Sequence, residues 1–449
     1  MNRINWLICV VTAVPICAQT FTTLVSFDQV SAGPFYMSLV QGFDGSFYGT
    51  AFEYGDNDGT VFRITPGGKL TNLYIFNADG SAGLFPYGGL TLAPDGEFYG
   101  TTYSGGASYD GTAFKITSGG ALTTLVNFDW TNGAWPSAPP IQGVDGQFYG
   151  TTSFGGLISP GTVFQMTPAG AITTLHSFAI TDGADPACAL VQDGLGNLYG
   201  TTVYGGANGD GTIFKITPAG EFTSLHSFAG SDGANPYAGL LLASDGNLYG
   251  TSTAGGANSY GTVFRVSPAG AFTVLHSFLW VDGATPYAPL IQATDGNFYG
   301  TTVQGGPQNY GTIFMMTPAG DVTTLHVLTF PEGAYPYGGL VQGTGGAFYG
   351  TTQAGGVHGY GTVFRLAAGL GPFVRTLPAA GVVGSTVRIL GTNLTGTTGV
   401  TFGGTPAMVT SVADTVITAI VPPGAVTGTV QVTTPAGTLA SNIPFQVRP

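Results

Sequence analysis

Four acidic residues recur at fifty-residue intervals: Asp182, Asp232, Asp282 and Glu332, each opening the phrase Asp/Glu-Gly-Ala-x-Pro. If the fold gathers them about one axis, their oxygens form a ring suited to Ca²⁺, a hard cation that takes roughly six to eight oxygen ligands. No other cofactor is implied. A plainer role competes, because an Asp before Gly caps its own tight turn. Asn132 and Ala32 hold the equivalent positions in other copies, which favours the turn.

A second recurrent set is aromatic. The residue after the proline of that phrase is Tyr237, Tyr287 and Tyr337 in three consecutive copies, but Ser137 and Ala187 in two earlier ones. In the same three copies a later Gly-Thr is preceded by Tyr260, Tyr310 and Tyr360, where earlier copies have Asp110, Pro160 and Asp210. A tyrosine offers a flat apolar body with a polar tip, suited to stacking on sugar rings or peptide. Six of them on one face would make a binding sector for a neutral or cationic polysaccharide or a cell-surface protein. The competing role is packing between glycine-rich loops.

Other constellations carry less. His176, His226, His276 and His326 look like a ligand set, yet Val25, Tyr74 and Val126 stand at equivalent positions, so the site reads as packing or edge. There is no Ser/His/Asp signature and no zinc-type spacing. Cys188 replaces the alanine of other copies (Ala238, Ala288) and reads as a small buried hydrophobe. A Ca²⁺-dependent hydrolase or lactonase is the alternative reading, since it needs only a few central carboxylates and a water.

These residues are carried by a fifty-residue unit written seven times. Its phrase Tyr-Gly-Thr places Tyr48, Tyr99, Tyr149, Tyr199, Tyr249, Tyr299 and Tyr349. A fixed period in this range signals a repeat architecture. In the cleanest copy, four apolar runs of strand length, Tyr237–Ala243, Asn247–Ser252, Gly261–Ser267 and Ala271–Phe278, are separated by Asp245-Gly246, a Gly-rich loop and Pro268-Ala269-Gly270. Both short connections suit antiparallel hairpins. The unit is a four-stranded meander, its strands a to d running from inner to outer edge of a propeller blade. Phe21–Phe27 matches strand d, whereas the last copy stops after its c strand, Gly361–Leu366. That offset predicts a seven-bladed ring in which the N-terminal strand completes the last blade, leaving no open sheet edge.

The ends differ from the repeats. Residues 1–18 have one early charge, Arg3, an apolar run to Cys17, and Ala18 before Gln19, the pattern of a secretory signal peptide. The run is short for a membrane span. From about residue 370 the composition shifts to Val, Thr and Gly, with about seven short strand-like segments suited to a small β-sandwich. The expected organisation is a signal peptide (1–18), a propeller (19–369) and a sandwich (370–449).

Two resemblances follow from these motifs. Asp-Gly-Asn-Phe-Tyr-Gly-Thr-Thr (295–302) and Gly-Thr-Val-Phe (261–264) resemble the GloVer tandem repeat of bacterial exported proteins, over about 350 residues. That resemblance implies export and no particular activity. Pro378, Gly384, the run Ile389 to Leu394, Val400–Gly404, Val421-Pro422, Gly437 and Phe445 resemble the TIG/IPT family of immunoglobulin-like domains. This implies a structural or binding module without catalysis of its own. The d–a–b–c order is also similar to NHL-type propellers, an analogy of fold only.

Charge sorts by face. An up-and-down meander puts the d-to-a and b-to-c loops on one face, here called the top. These loops carry Asp28, Glu53, Asp56, Asp58, Asp79, Asp110, Asp129, Asp182, Asp185, Asp210, Asp232, Asp282 and Glu332, without Lys or Arg. Arg63, Lys115, Lys215, Arg265 and Arg365 share one position late in strand c, towards the bottom. A net charge of −13 disfavours nucleic acid and anionic membranes, and the acidic face disfavours a sialidase-like site, which needs clustered arginines. The sequence thus predicts an exported binding or structural protein without a membrane span in its mature chain.

Overall fold

A computed structural model describes residues 19–28, 37–52, 58–77 and 79–448. The leader, Ala32, Glu53 and Asp56 lie outside them. Every regular element among the described residues is a β-strand, and no helix is long and apolar enough to cross a membrane.

Among the described residues the repeats form seven antiparallel four-stranded sheets. Six take their strands in chain order, as in Leu241–Leu242, Leu248–Ser252, Thr262–Val266 and Phe272–Ser277. In the seventh, Val341–Gln342, Phe348–Thr352 and Thr362–Ala367 are joined by Thr20–Ser26, with Thr20 opposite Ala367 and Ser26 opposite Thr362. One apolar cluster lies between each sheet and the next. A seventh cluster, containing Phe27, Phe47, Phe62, Val341 and Val363, joins the last sheet to the first.

The inner strand is shorter than the seven residues expected, with only Leu241 and Leu242 on the ladder. The physical reason is a competing acceptor role. The Ala238 carbonyl takes a hydrogen bond from Thr201 Oγ1 of the preceding sheet (3.0 Å), so this stretch binds across sheets instead of within one. Thr251 and Thr351 donate likewise to Ala288 and Met37.

The recurrent phrase Phe/Leu-Tyr-Gly-Thr-Thr has a packing reason at each place. Where the next sheet offers an aromatic the tyrosine stacks on it, as Tyr249 does on Phe298 at 4.2 Å, and Phe47 meets Tyr349 at 4.0 Å; Tyr149 and Tyr199 pack with Leu198 and Leu248 instead. A Cβ on Gly200 would lie 2.6 Å from Phe214 Cζ, so only glycine lets that ring in. The first threonine bonds across sheets, and the second shares a buried 2.8 Å hydrogen bond with a strand-c threonine (Thr202 and Thr212).

Residues 373–448 build two four-stranded sheets and a parallel pair, Ala380–Val382 with Gln446–Arg448, around one core that includes Val387, Ile389, Phe402, Ile417, Val430 and Phe445. This unit sits against the a-to-b turns. Thr415 Oγ1 donates to Phe43 O (2.6 Å), the Arg388 guanidinium lies 4.6 Å over the Phe43 ring, and Arg448 reaches Val144 O (3.2 Å). The d-to-a and b-to-c loops form the opposite face.

Candidate functional site

On that opposite face the inner strands enclose a cavity of about 540 Å³. Its lining includes the aromatics Tyr87, Tyr103, Phe154, Tyr237, Tyr287 and Tyr337 among small and aliphatic residues. Tyr237 and Tyr287 stack at 4.6 Å, Tyr287 meets Tyr337 edge-on at 5.1 Å, and Tyr204 and Tyr237 join through their hydroxyls at 2.9 Å. On the other side Tyr87 packs on Tyr103 at 5.1 Å, and Tyr103 on Trp135 at 5.6 Å. The small residues Ser137 and Ala187 leave a gap in this wall.

Beside the gap stands Asp185. It occupies the position before the proline, where other copies have Phe85, Trp135, Asn235, Thr285 and Tyr335, and all six adopt positive φ, from 53° to 60°. Left-handed backbone is costly for Trp, Tyr or Thr, and it persists here because hydrogen bonds fix both sides of the peptide. Asp185 N donates to Pro160 O (2.9 Å) and Asp185 O accepts from Val203 N (3.0 Å). Burial pushes the Asp185 carboxyl above its ordinary range, a rise opposed by a hydrogen bond from Ser153. Its Oδ1 is buried and accepts no hydrogen bond. Burial, then the Asp185 charge, raises the Tyr103 phenol, and burial raises the Cys188 thiol, which is hydrogen-bonded to Thr201.

The six tyrosines singled out in the sequence do not form one group. Tyr237, Tyr287 and Tyr337 line the cavity. Tyr260, Tyr310 and Tyr360 close the outer loops: Tyr260 packs on Trp280 (5.4 Å) and Tyr310 on Phe330 (5.5 Å). The backbones of Tyr260 and Tyr310 serve the strained turn of the next sheet, with Tyr260 O accepting from Thr285 N and Tyr310 O from Tyr335 N. Tyr87, Tyr103 and Asp185 belong to the cavity and were missed as members of it. Tyr87 follows Pro86 just as Tyr237 follows Pro236, so its signal was present.

The four repeated acids are likewise kept apart. Each pairs with the histidine six residues earlier: Asp182 with His176 (3.3 Å), Asp232 with His226 (3.0 Å), Asp282 with His276 (3.1 Å) and Glu332 with His326 (3.3 Å). Asp182, Asp232 and Asp282 also cap their own turns, accepting from the amides of Ala179, Ala229 and Leu279. The histidine rings lie between sheets, His226 stacked on Phe272 at 3.8 Å and His326 on Phe21 at 4.2 Å. Burial lowers the His176 pKa despite the neighbouring Asp182. This arrangement replaces the expected carboxylate ring with separate pairs on the outer strands. Among the described residues no three His, Cys, Asp or Glu side chains are grouped to hold a metal ion.

The opposite end has its own network. Tyr48, Tyr99, Tyr149, Tyr199, Tyr249 and Tyr299 donate their phenol protons to the a-to-b turn aspartates, Tyr149 to Asp145 at 2.7 Å. Burial and that carboxylate push Tyr149 up to about 12. The bases are engaged there too, Arg63 with Asp44 and Lys115 with Glu97, both at 2.7 Å.

The class so defined is an all-β repeat protein of four-stranded blades with an aromatic cavity at one end. The chain belongs to the Gloeobacter/Verrucomicrobia repeat family, whose model matches residues 10–207 and 188–417. No curated protein matches it in sequence. Among solved structures, a fungal alcohol oxidase of the AA5 family, in complex with copper, is similar at 12% identity and TM-score 0.55, over 96% of this chain and 99% of that one. The periplasmic gluconolactonase PpgL of Pseudomonas aeruginosa has 16% identity, 73% and 98% coverage and TM-score 0.44. An auxiliary nutrient binding protein of Bacteroides ovatus has 11% identity, 78% and 76% coverage and TM-score 0.44. Similarity at these identities concerns architecture alone.

Proposed function

We propose that the chain is an exported binding protein that takes a glycan in its aromatic cavity. The observation that carries this reading is the Tyr237–Tyr287–Tyr337 arc in a cavity whose volume suits a small-molecule site. Stacked phenols present flat faces to sugar rings and hydroxyls to their edges. In this reading residues 1–18 are the signal peptide, the seven sheets of 19–369 are a propeller closed by Thr20–Ser26, and 370–449 are a TIG/IPT-like module over its lower end. The catalytic alternative, a Ca²⁺-dependent hydrolase or lactonase, calls for several oxygen ligands about one point, and among the described cavity residues there is one carboxylate. A glycan array probed with the parent protein and with a Tyr237→Ala/Tyr287→Ala/Tyr337→Ala variant tests the reading. Binding by the parent that the variant loses supports it. No binding by the parent, or binding unchanged in the variant, sinks it.

A further inference from the structure

Resting on that binding reading, we infer that the glycan carries a free amine: the cavity recognises an unacetylated amino sugar, its ammonium held by Asp185 and its ring by the tyrosines. Asp185 is the only charged side chain among the described residues of the cavity wall. Its copies in other blades are aromatic or neutral, so the charge belongs to this one place in the ring. A buried carboxylate oxygen without a hydrogen-bond partner is costly, and Oδ1 is such an atom. The protein's own bases do not serve it, since those of the blades stand late in strand c and Arg63 and Lys115 are paired at the lower face. Asp185 lines the cavity with no cation of the chain against it, so a ligand cation at the wall would offset its charge, and phenol faces attract cations as well. Anionic glycans meet the opposite condition, a lone carboxylate within an acidic face.

The test is calorimetry on the whole chain at neutral pH with three probes: glucosamine oligomers, N-acetylglucosamine oligomers and glucose oligomers of equal length. The glucosamine series should bind tighter than the others by roughly tenfold to a hundredfold, the usual worth of a charge-assisted hydrogen bond. Asp185→Asn should abolish that preference, so that the glucosamine series binds no tighter than the neutral oligomers. A thermal melt of the variant controls for folding, and it should not fall, because the change removes a buried charge that no cation of the chain compensates. Equal affinity for all three probes, or an amine preference that survives in Asp185→Asn, overturns the amine inference and leaves glycan binding standing. Absence of binding by every probe overturns both.

Discussion

The strand Thr20–Ser26 is the most telling place to perturb the seventh sheet. Deleting residues 19–28 removes six register pairs with Thr362–Ala367 and exposes the edge of the seventh sheet. It also removes Phe27, 1% exposed, whose amide donates to Gly361 O (2.9 Å), and Phe21, which stacks on His326 at 4.2 Å and on Phe364 at 5.2 Å. Leu24 and Val25 leave the cluster that joins the last sheet to the first. Fully burying one such side chain contributes about 1.5–3 kcal/mol. Since three of the four are only partly buried, the loss is on the order of 5 kcal/mol before any hydrogen bonds are counted. A domain's whole margin is about 5–15 kcal/mol. The truncated chain should therefore melt far below the full one and self-associate through its open edge, and a peptide of residues 19–28 added in trans should restore part of the loss. Calorimetric melts with analytical ultracentrifugation read both effects. Unchanged melting and a monomeric truncated chain would refute the closure argument.

Three further outcomes follow from particular contacts. Gly200→Ala should destabilise by about 1–3 kcal/mol through overpacking against Phe214 and Leu190, and Phe214→Leu in the same chain should recover part of it in urea melts. Asp185 has a raised folded-state pKa, so its ionised form costs stability at neutral pH, a cost relieved as pH falls towards the ordinary carboxylate range; Ser153, Tyr103 and Cys188 face it without a cation. Asp185→Asn should raise Tm at neutral pH and flatten that acid-side rise, and a melt series over pH that shows neither would contradict it. Tyr149 keeps its proton in the folded state to about 12, so stability present below the ordinary tyrosine range should be lost as pH rises from about 10 towards 12. Tyr149→Phe should reduce that alkaline loss, followed by circular dichroism.

The sequence by itself determined the repeat, the strand classes and their order, because each short run depends on local alternation and on turn residues such as Asp245-Gly246, whose glycine sits at φ 80°. Family membership was legible for the same reason, since Tyr-Gly-Thr recurs where a ring, a close approach and an inter-sheet hydrogen bond must coincide. The partnership of Thr20–Ser26 was readable from a strand type written out of place. Only the tertiary structure decided which recurrent residues meet. Asp232 recurs as a ligand would, yet its carboxylate turns to His226 in its own blade, because the local turn offers it the Ala229 amide at once. Tyr237 and Tyr260 are equally periodic, but one lines the cavity and the other packs on Trp280 in a loop, a difference that no spacing encodes. Asp185 is one acid among many in the chain, and its distinction arises from the gap left by Ser137 and Ala187 on two different blades. Period is a local property that a chain can write down; which side chains share one cavity depends on how the sheets pack against one another.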